Sequence, residues 1–272
     1  MAKRERITIT IRKDLLKQVE RLQDNLTIRS RSHAFEFLLS RVLSDIRLSS
    51  ALVLAGGKRE NVLIGGKPKF LMDVKGKPLL ERVLGQLAGF NIGSFLVYLD
   101  LKKEEIVEKL SSKEHAFELR FLTGNKPVGT VEPLRKARSF FDDTFLVAYG
   151  DTLSSLDLNK MLQFHRKNNA LATAALTTVS NPKKYGVVVL EGGKIRRFVQ
   201  KPRGNPDSFL VSAGYFIFEP EIFRYVSRND KSLERDLLPR LARKGLLTGY
   251  PFQGFYINVN SKQDLEKARI ML

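Results

Sequence analysis

The side chains best suited to chemistry stand where apolar runs stop. Phe145–Tyr149 is a short apolar run followed at once by Gly150-Asp151, which sets a carboxylate at the carboxyl end of a buried strand. A carboxylate there is a natural Mg2+ ligand beside phosphates; its competing role is to cap a following helix. Ala51–Leu54 is a second such run. It ends in Ala55-Gly56-Gly57, where a chain turning off a strand exposes backbone N–H groups to a phosphate. Most Gly-Gly pairs are plain turns, so this one takes its weight from its neighbours. Lys67-Pro68-Lys69 puts two cations on a loop that Pro68 stiffens, and Gly129-Thr130 opens a helix with backbone amides free for a base or a phosphate. Tyr185-Gly186, Gln200-Lys201-Pro202, Ala213-Gly214 and Tyr256–Asn260 complete the set. Strand, glycine turn, cationic loop and helix in succession predict a nucleotide site at a strand's carboxyl end.

The elements that must position these residues alternate. Strands are predicted at 51–54, 94–99, 117–122, 144–149 and 171–178, with helices at 79–88, 103–110, 130–139 and 157–167 between them. A β-rich section follows, with a hairpin of 186–190 and 194–200 about Glu191-Gly192-Gly193 and a strand at 209–218. Helices at 220–226 and 232–243, strands at 247–252 and 255–259 and a closing helix at 262–271 end the chain. This pattern predicts an α/β fold with right-handed crossovers and a mainly parallel sheet.

Composition narrows the partners. The chain has 272 residues, no cysteine and three histidines, which excludes disulfides and thiolate metal sites and disfavours a histidine zinc site. No apolar run approaches the ~18 residues that span a membrane, and no secretory signal is visible. A cytoplasmic protein without a membrane partner is expected. The formal charge of +18 points to a polyanionic partner, or else to a solvated basic surface of the kind some thermophiles carry.

The first fifty residues read as a separate module. Arg6–Arg12 alternates strictly, with Ile7, Ile9 and Ile11 on one face and Arg6, Thr8, Thr10 and Arg12 on the other. A helix over roughly 14–24 and a second over 31–43, capped by Ser30, are predicted next. One strand and two helices cannot bury that apolar surface alone, so pairing with a second copy is expected. Over residues 3–45 the chain resembles the ribbon-helix-helix DNA-binding family, through its Arg-x-Thr-x-Thr strand and its Ser30-Arg31-Ser32-His33-Ala34 helix start. The resemblance implies a homodimer on double-stranded DNA. Arg6, Thr8 and Thr10 would face bases, and the amides of Ser30, Arg31 and Ser32 would hold a phosphate.

Residues 50–270 resemble the sugar-1-phosphate nucleotidyltransferases, which join a nucleoside triphosphate to a sugar 1-phosphate and release pyrophosphate. The match lies in an ordered series: Leu54-Ala55-Gly56-Gly57, Pro68-Lys69, Gly129-Thr130, Gly150-Asp151, Tyr185-Gly186-Val187, Lys201-Pro202 and Ala213-Gly214. It implies a Rossmann-like, GT-A type fold over 49–272, with a mixed, mainly parallel sheet and flanking helices, and the ribbon-helix-helix module in 1–48. By the same resemblance Lys69 would neutralise the α-phosphate, and Asp151 and Asn258 would hold Mg2+. Lys201 would bind the sugar's phosphate, and Gly186 and Gly214 would admit the sugar. Ala55, Gly56, Gly57, Lys58, Arg59, Gly129 and Thr130 would cradle the nucleotide.

This chain departs from the family pattern at three places. Lys58-Arg59-Glu60-Asn61 replaces the glycine, threonine and arginine of the first loop. Asn258 stands for the second metal-binding aspartate, with Tyr256 and Asn260 for that motif's tryptophan and glycine. Gln200 stands for a glutamate. Losing a metal-site charge favours binding over turnover. The expectation is therefore a DNA-binding transcriptional regulator whose second domain senses a nucleotide, sugar phosphate or nucleotide-sugar. The alternative is an active Mg2+-dependent sugar-1-phosphate nucleotidyltransferase with an N-terminal appendage.

Overall fold

The computed structural model describes residues 7–23, 28, 30–44 and 47–272, and the chain divides into two compact units, Met1–Ile46 and Arg47–Leu272. In the first unit, helices Lys13–Glu20 and Arg31–Ser44 pack through Val19, Ile28 and Ala34. The Ser30 hydroxyl accepts the His33 N–H at 3.1 Å, so the predicted cap forms. Arg31 pairs with Glu20 at 2.6 Å.

The predicted strand is not formed within the chain. Residues 7–12 form no strand here, and Ile7 and Ile9 are 71% and 55% exposed. An alternating segment gains its hydrogen bonds only from a partner strand, and none is available to these residues among those described. Thr8, Thr10, Ser30, Arg31 and Ser32 are all exposed, and Arg6 lies outside the described residues.

In the second unit nine strands make one sheet: β1 Ser50–Leu54, β2 Ser94–Leu99, β3 Glu118–Thr123, β4 Phe145–Tyr149, β5 Ala172–Thr178, β6 Gly186–Glu191, β7 Lys194–Gln200, β8 Leu210–Phe218 and β9 Leu247–Pro251. Their order is β5-β9-β7-β6-β8-β4-β1-β2-β3, with β5 also paired to β8. β3, β2, β1 and β4 run parallel. Beyond β4 two strands are reversed: β8 lies antiparallel to β4, β5 and β6, and β7 antiparallel to β6 and β9, while β5 and β9 pair parallel. Seven of the nine strands thus run one way and only β7 and β8 run the other, so the sheet is mixed and mainly parallel, as expected. The β6–β7 connection is a tight Gly192-Gly193 turn, which can only join antiparallel neighbours.

Alternation along the central strands fills both faces. Ala51, Val53, Phe95, Val97, Leu146 and Ala148 face one core with helices Leu79–Ala88, Leu158–Lys167 and Lys262–Met271. Leu52, Leu54, Leu96, Phe145 and Val147 face the other, with Val131, Leu134 and the 233–242 segment. That segment opens as a wide π turn, Leu233–Leu237, before the helix Leu238–Arg243. Pro239 lacks the N–H that a regular helix would give to the Arg235 carbonyl, so the pitch widens there.

A buried polar chain ties the layers. His165 meets Thr173 at 2.7 Å and Glu219 at 2.9 Å, Glu219 accepts from Thr144 at 3.0 Å, and Thr173 meets Thr248 at 2.7 Å. Burial pushes the Glu219 carboxyl up, but hydrogen bonds from His165 and Thr144 and the charges of His165 and Arg166 more than offset it. The net shift is downward. A lowered folded-state pKa gives stability that is fully present above the ordinary carboxylate range and is lost as pH falls through the folded value. Glu219→Gln is therefore expected to flatten the acid limb of a stability-against-pH curve, below about pH 4. Parallel curves for variant and parent would refute this.

Candidate active site

The carboxyl ends of β1, β4 and β2 meet in one floor. The Gly150 N–H donates to the Leu54 carbonyl at 2.9 Å, and the Ala55 N–H to the Tyr98 carbonyl at 3.0 Å. Above them opens a cleft of about 1040 Å3, lined by Gly56, Gly57, Lys58, Gly129, Thr130, Asp151, Gly186, Lys201, Gly214 and Asn258. Ten residues expected at a site from separate stretches of sequence thus share one cavity. Ala55 is buried behind its wall, and Arg59, exposed on the short helix Arg59–Val62, does not line it.

Lys69 sits beneath the floor, 1% exposed, on a single 3-10 turn. A buried lysine needs a partner, and its ammonium donates to Asp151 Oδ2 and to Asn260 Oδ1, the latter at 2.9 Å. Asn260 Nδ2 in turn donates to Asn258 Oδ1 at 2.7 Å. The short strand Tyr256–Asn258 runs antiparallel to Thr152–Ser154, with Asn258 opposite Thr152, and this pairing brings the asparagines beside Asp151. Asp151, 9% exposed, is not a helix cap: a strand follows it.

Two groups of amides expected to be free are engaged. Asp100, at the end of β2, accepts the Gly57 N–H on both carboxylate oxygens, at 3.0 and 2.9 Å. The Thr130 and Val131 N–H groups both donate to the Lys231 carbonyl, at 2.9 and 3.2 Å. Two glycines expected to admit a sugar are required by the wall itself. A Cβ on Gly186 would fall 2.5 Å from Phe198 Cζ, and one on Gly214 2.8 Å from Tyr149 Cδ2.

Other wall residues carried no expectation: Glu234, Tyr149, Lys184, Arg235 and Lys267 also line the cleft. Glu234 accepts hydrogen bonds from Tyr149 and from Ser232, the latter at 3.0 Å. Burial, then the Glu234 charge beside it, pushes the Tyr149 phenol well above its usual value, so it stays a donor. Lys58, Lys184, Lys201, Arg235 and Lys267 line the cleft together with Asp151, Glu234 and Asp264, an excess of positive charge suited to phosphates. Lys201 has a left-handed backbone, φ +50, which a non-glycine residue adopts only at a cost.

The residues do not fit a standing Mg2+ site. Asp151 is the one carboxylate in the Lys69–Asp151–Asn260–Asn258 cluster, and Lys69 holds its Oδ2. Among the described residues no group of three His, Cys, Asp or Glu side chains is placed to hold a metal.

Fold and cleft together define a class, an α/β domain with its cleft at the carboxyl ends of parallel strands. Residues 50–256 match the family model described as Nucleotidyl transferase, and the chain belongs to that family. A Yarrowia lipolytica protein named "Mannose-1-phosphate guanyltransferase" is 31% identical over 225 residues, 78% of this chain and 61% of that protein. A Danio rerio protein named "Mannose-1-phosphate guanylyltransferase catalytic subunit beta" is 30% identical over 223 residues, 79% of this chain and 62% of that protein. The chain thus spans about three-fifths of the length of these curated relatives. The crystal structure of HddC from Yersinia pseudotuberculosis shares the fold, with a TM-score of 0.71 at 23% identity over 82% of this chain and 99% of that one.

These relatives overturn the reading as a DNA-binding transcriptional regulator. They carry enzyme names, and the family match begins at residue 50. The ribbon-helix-helix reading of residues 3–45, with its DNA and homodimer partners, finds no support in them. No helix among the described residues is long and apolar enough to cross a membrane.

Proposed function

We propose that residues 49–272 form a nucleotidyltransferase domain that joins a nucleoside triphosphate to a sugar 1-phosphate. The observation that carries this reading is the Lys69–Asp151 pair, with Asp151 lining a cleft walled by Gly56, Gly57, Thr130 and Lys201 and Lys69 buried beneath it. An oxygen of the sugar's phosphate attacks the α-phosphorus of the triphosphate. A phosphorus–oxygen bond forms, the bond to the β-phosphate's bridging oxygen breaks, and pyrophosphate leaves with the electron pair. Both reactants are anions, so positioning and charge neutralisation supply most of the rate. Lys69 lies under the α-phosphate and meets the charge that develops there. Lys201 holds the attacking phosphate, with Lys58, Lys184, Arg235 and Lys267 available to the rest.

The names of the relatives support GTP and mannose 1-phosphate as the pair to test first. The test is pyrophosphate release from the purified full chain with GTP, ATP, UTP, CTP and dTTP, each against mannose, glucose and galactose 1-phosphates. GTP with a hexose 1-phosphate is expected to turn over. Lys201→Ala should raise KM for the sugar phosphate about tenfold or more while KM for the triphosphate stays put, as loss of one charged contact implies. Silence from every pair would reject the reading.

A further inference from the structure

A hard dication is held by oxygens that bring net negative charge and point at one centre. Around Asp151 the charge condition is not met, and the oxygens are engaged by hydrogen bonds within the cluster. Lys69, Asp151, Asn258 and Asn260 together carry no net charge, because the lysine cancels the one carboxylate. Oxygen is the only ligating atom of an amide, and each of the two amide oxygens already accepts one hydrogen bond within the cluster. Asn260 Oδ1 accepts from Lys69 at 2.9 Å and Asn258 Oδ1 accepts from Asn260 at 2.7 Å. The chain of bonds closes on the lysine, which is too buried to leave without forfeiting both acceptors.

We infer that Asn260 is a positioning residue that makes Lys69 the resident cation of this site, so that no divalent ion is held ahead of substrate. Its amide does two things at once: the carbonyl anchors the lysine on Asp151, and the NH2 engages one lone pair of the Asn258 oxygen. A divalent ion reaches the cleft only in the company of phosphates. The inference rests on the nucleotidyl-transfer reading of the cleft.

The test is Mn2+ titration of the full chain without nucleotide, following loss of the free-ion electron paramagnetic resonance signal. The parent chain is expected to leave that signal unattenuated. Asn258→Asp, which adds a charge, should bind Mn2+ about tenfold tighter or more. Asn260→Gly, which frees the Asn258 oxygen and one bond of Lys69, should gain in the same direction to a lesser degree. Thermal melts run alongside identify a folded variant, and either gain suffices. A parent chain that binds Mn2+ as tightly as Asn258→Asp overturns the inference, and so do two folded variants that gain nothing. A parent chain that binds Mn2+ tightly and still releases pyrophosphate defeats this inference alone. One that holds no Mn2+ and turns over no substrate pair defeats the nucleotidyl-transfer reading instead.

Discussion

Replacing Lys69 with methionine is expected to cost the protein both stability and turnover, by separable amounts. Lys69 is 1% exposed and its partner Asp151 9%, so the substitution strands a carboxylate where water scarcely reaches. Removing one member of a buried pair typically costs about 3–5 kcal/mol, most of it the desolvation of the charge left behind. Asn260 loses its donor as well. Turnover should fall about 10²–10³-fold, the usual effect of deleting one preorganised group at a developing charge. Denaturant unfolding measures the first loss and pyrophosphate release at saturating substrate the second. The double variant Lys69→Met with Asp151→Asn separates them. Without a charge to strand it should regain most of the stability and none of the activity. A single variant as stable as the parent would mean that the pair does not bear on the fold, and full turnover in it would remove Lys69 from the chemistry.

The elements of the second unit were legible because both faces of its central strands are buried. A run such as Ala51–Leu54 has no other use in a domain of this size. The direction of pairing was less so. Nothing local to Leu210–Phe218 tells that it inserts between β4 and β6, because that choice is made by residues far away in the chain. The strand expected in the first unit is not formed within the chain for a related reason: alternation over 7–12 states a preference, and only a partner strand can fulfil it. In the cleft, the glycine turns and Asp151 could be read from strand ends. Asp100 follows β2 as Asp151 follows β4, so it carried the same signal. Asn260 follows Asn258 at the two-residue spacing that puts side chains on one face of an extended segment. What could not be read is how the amides are spent. Gly57 gives its N–H to a residue 43 positions on, and Thr130 gives its own to the Lys231 carbonyl, contacts that exist only after folding.

That last contact makes Gly129→Ala the other substitution of large expected effect. Gly129 has φ +82, a left-handed conformation that an L side chain adopts at a cost of about 1–3 kcal/mol. Its new Cβ would also stand 2.1 Å from the Lys231 oxygen and 3.0 Å from the Lys231 carbonyl carbon, which are backbone and cannot rotate aside. Relief requires the 129–131 loop to part from the 231–234 segment. That breaks the two N–H bonds to Lys231 and the 2.8 Å bond from the Leu233 N–H to the Thr130 hydroxyl. At about 1 kcal/mol for each bond, the loss should exceed strain alone by about 2–3 kcal/mol. Gly192→Ala supplies the comparison. Gly192 has φ +54, and a Cβ there would meet nothing within 4 Å, so that variant bears the strain without the collision. Gly129, Thr130 and Glu234 share the cleft wall, so Gly129→Ala should also raise KM for the triphosphate and leave KM for the sugar phosphate nearly unchanged. Gly192→Ala should change neither. Equal destabilisation by the two variants would show that the Lys231 carbonyl yields freely. A rise confined to the sugar phosphate's KM would put the nucleotide at the other end of the cleft.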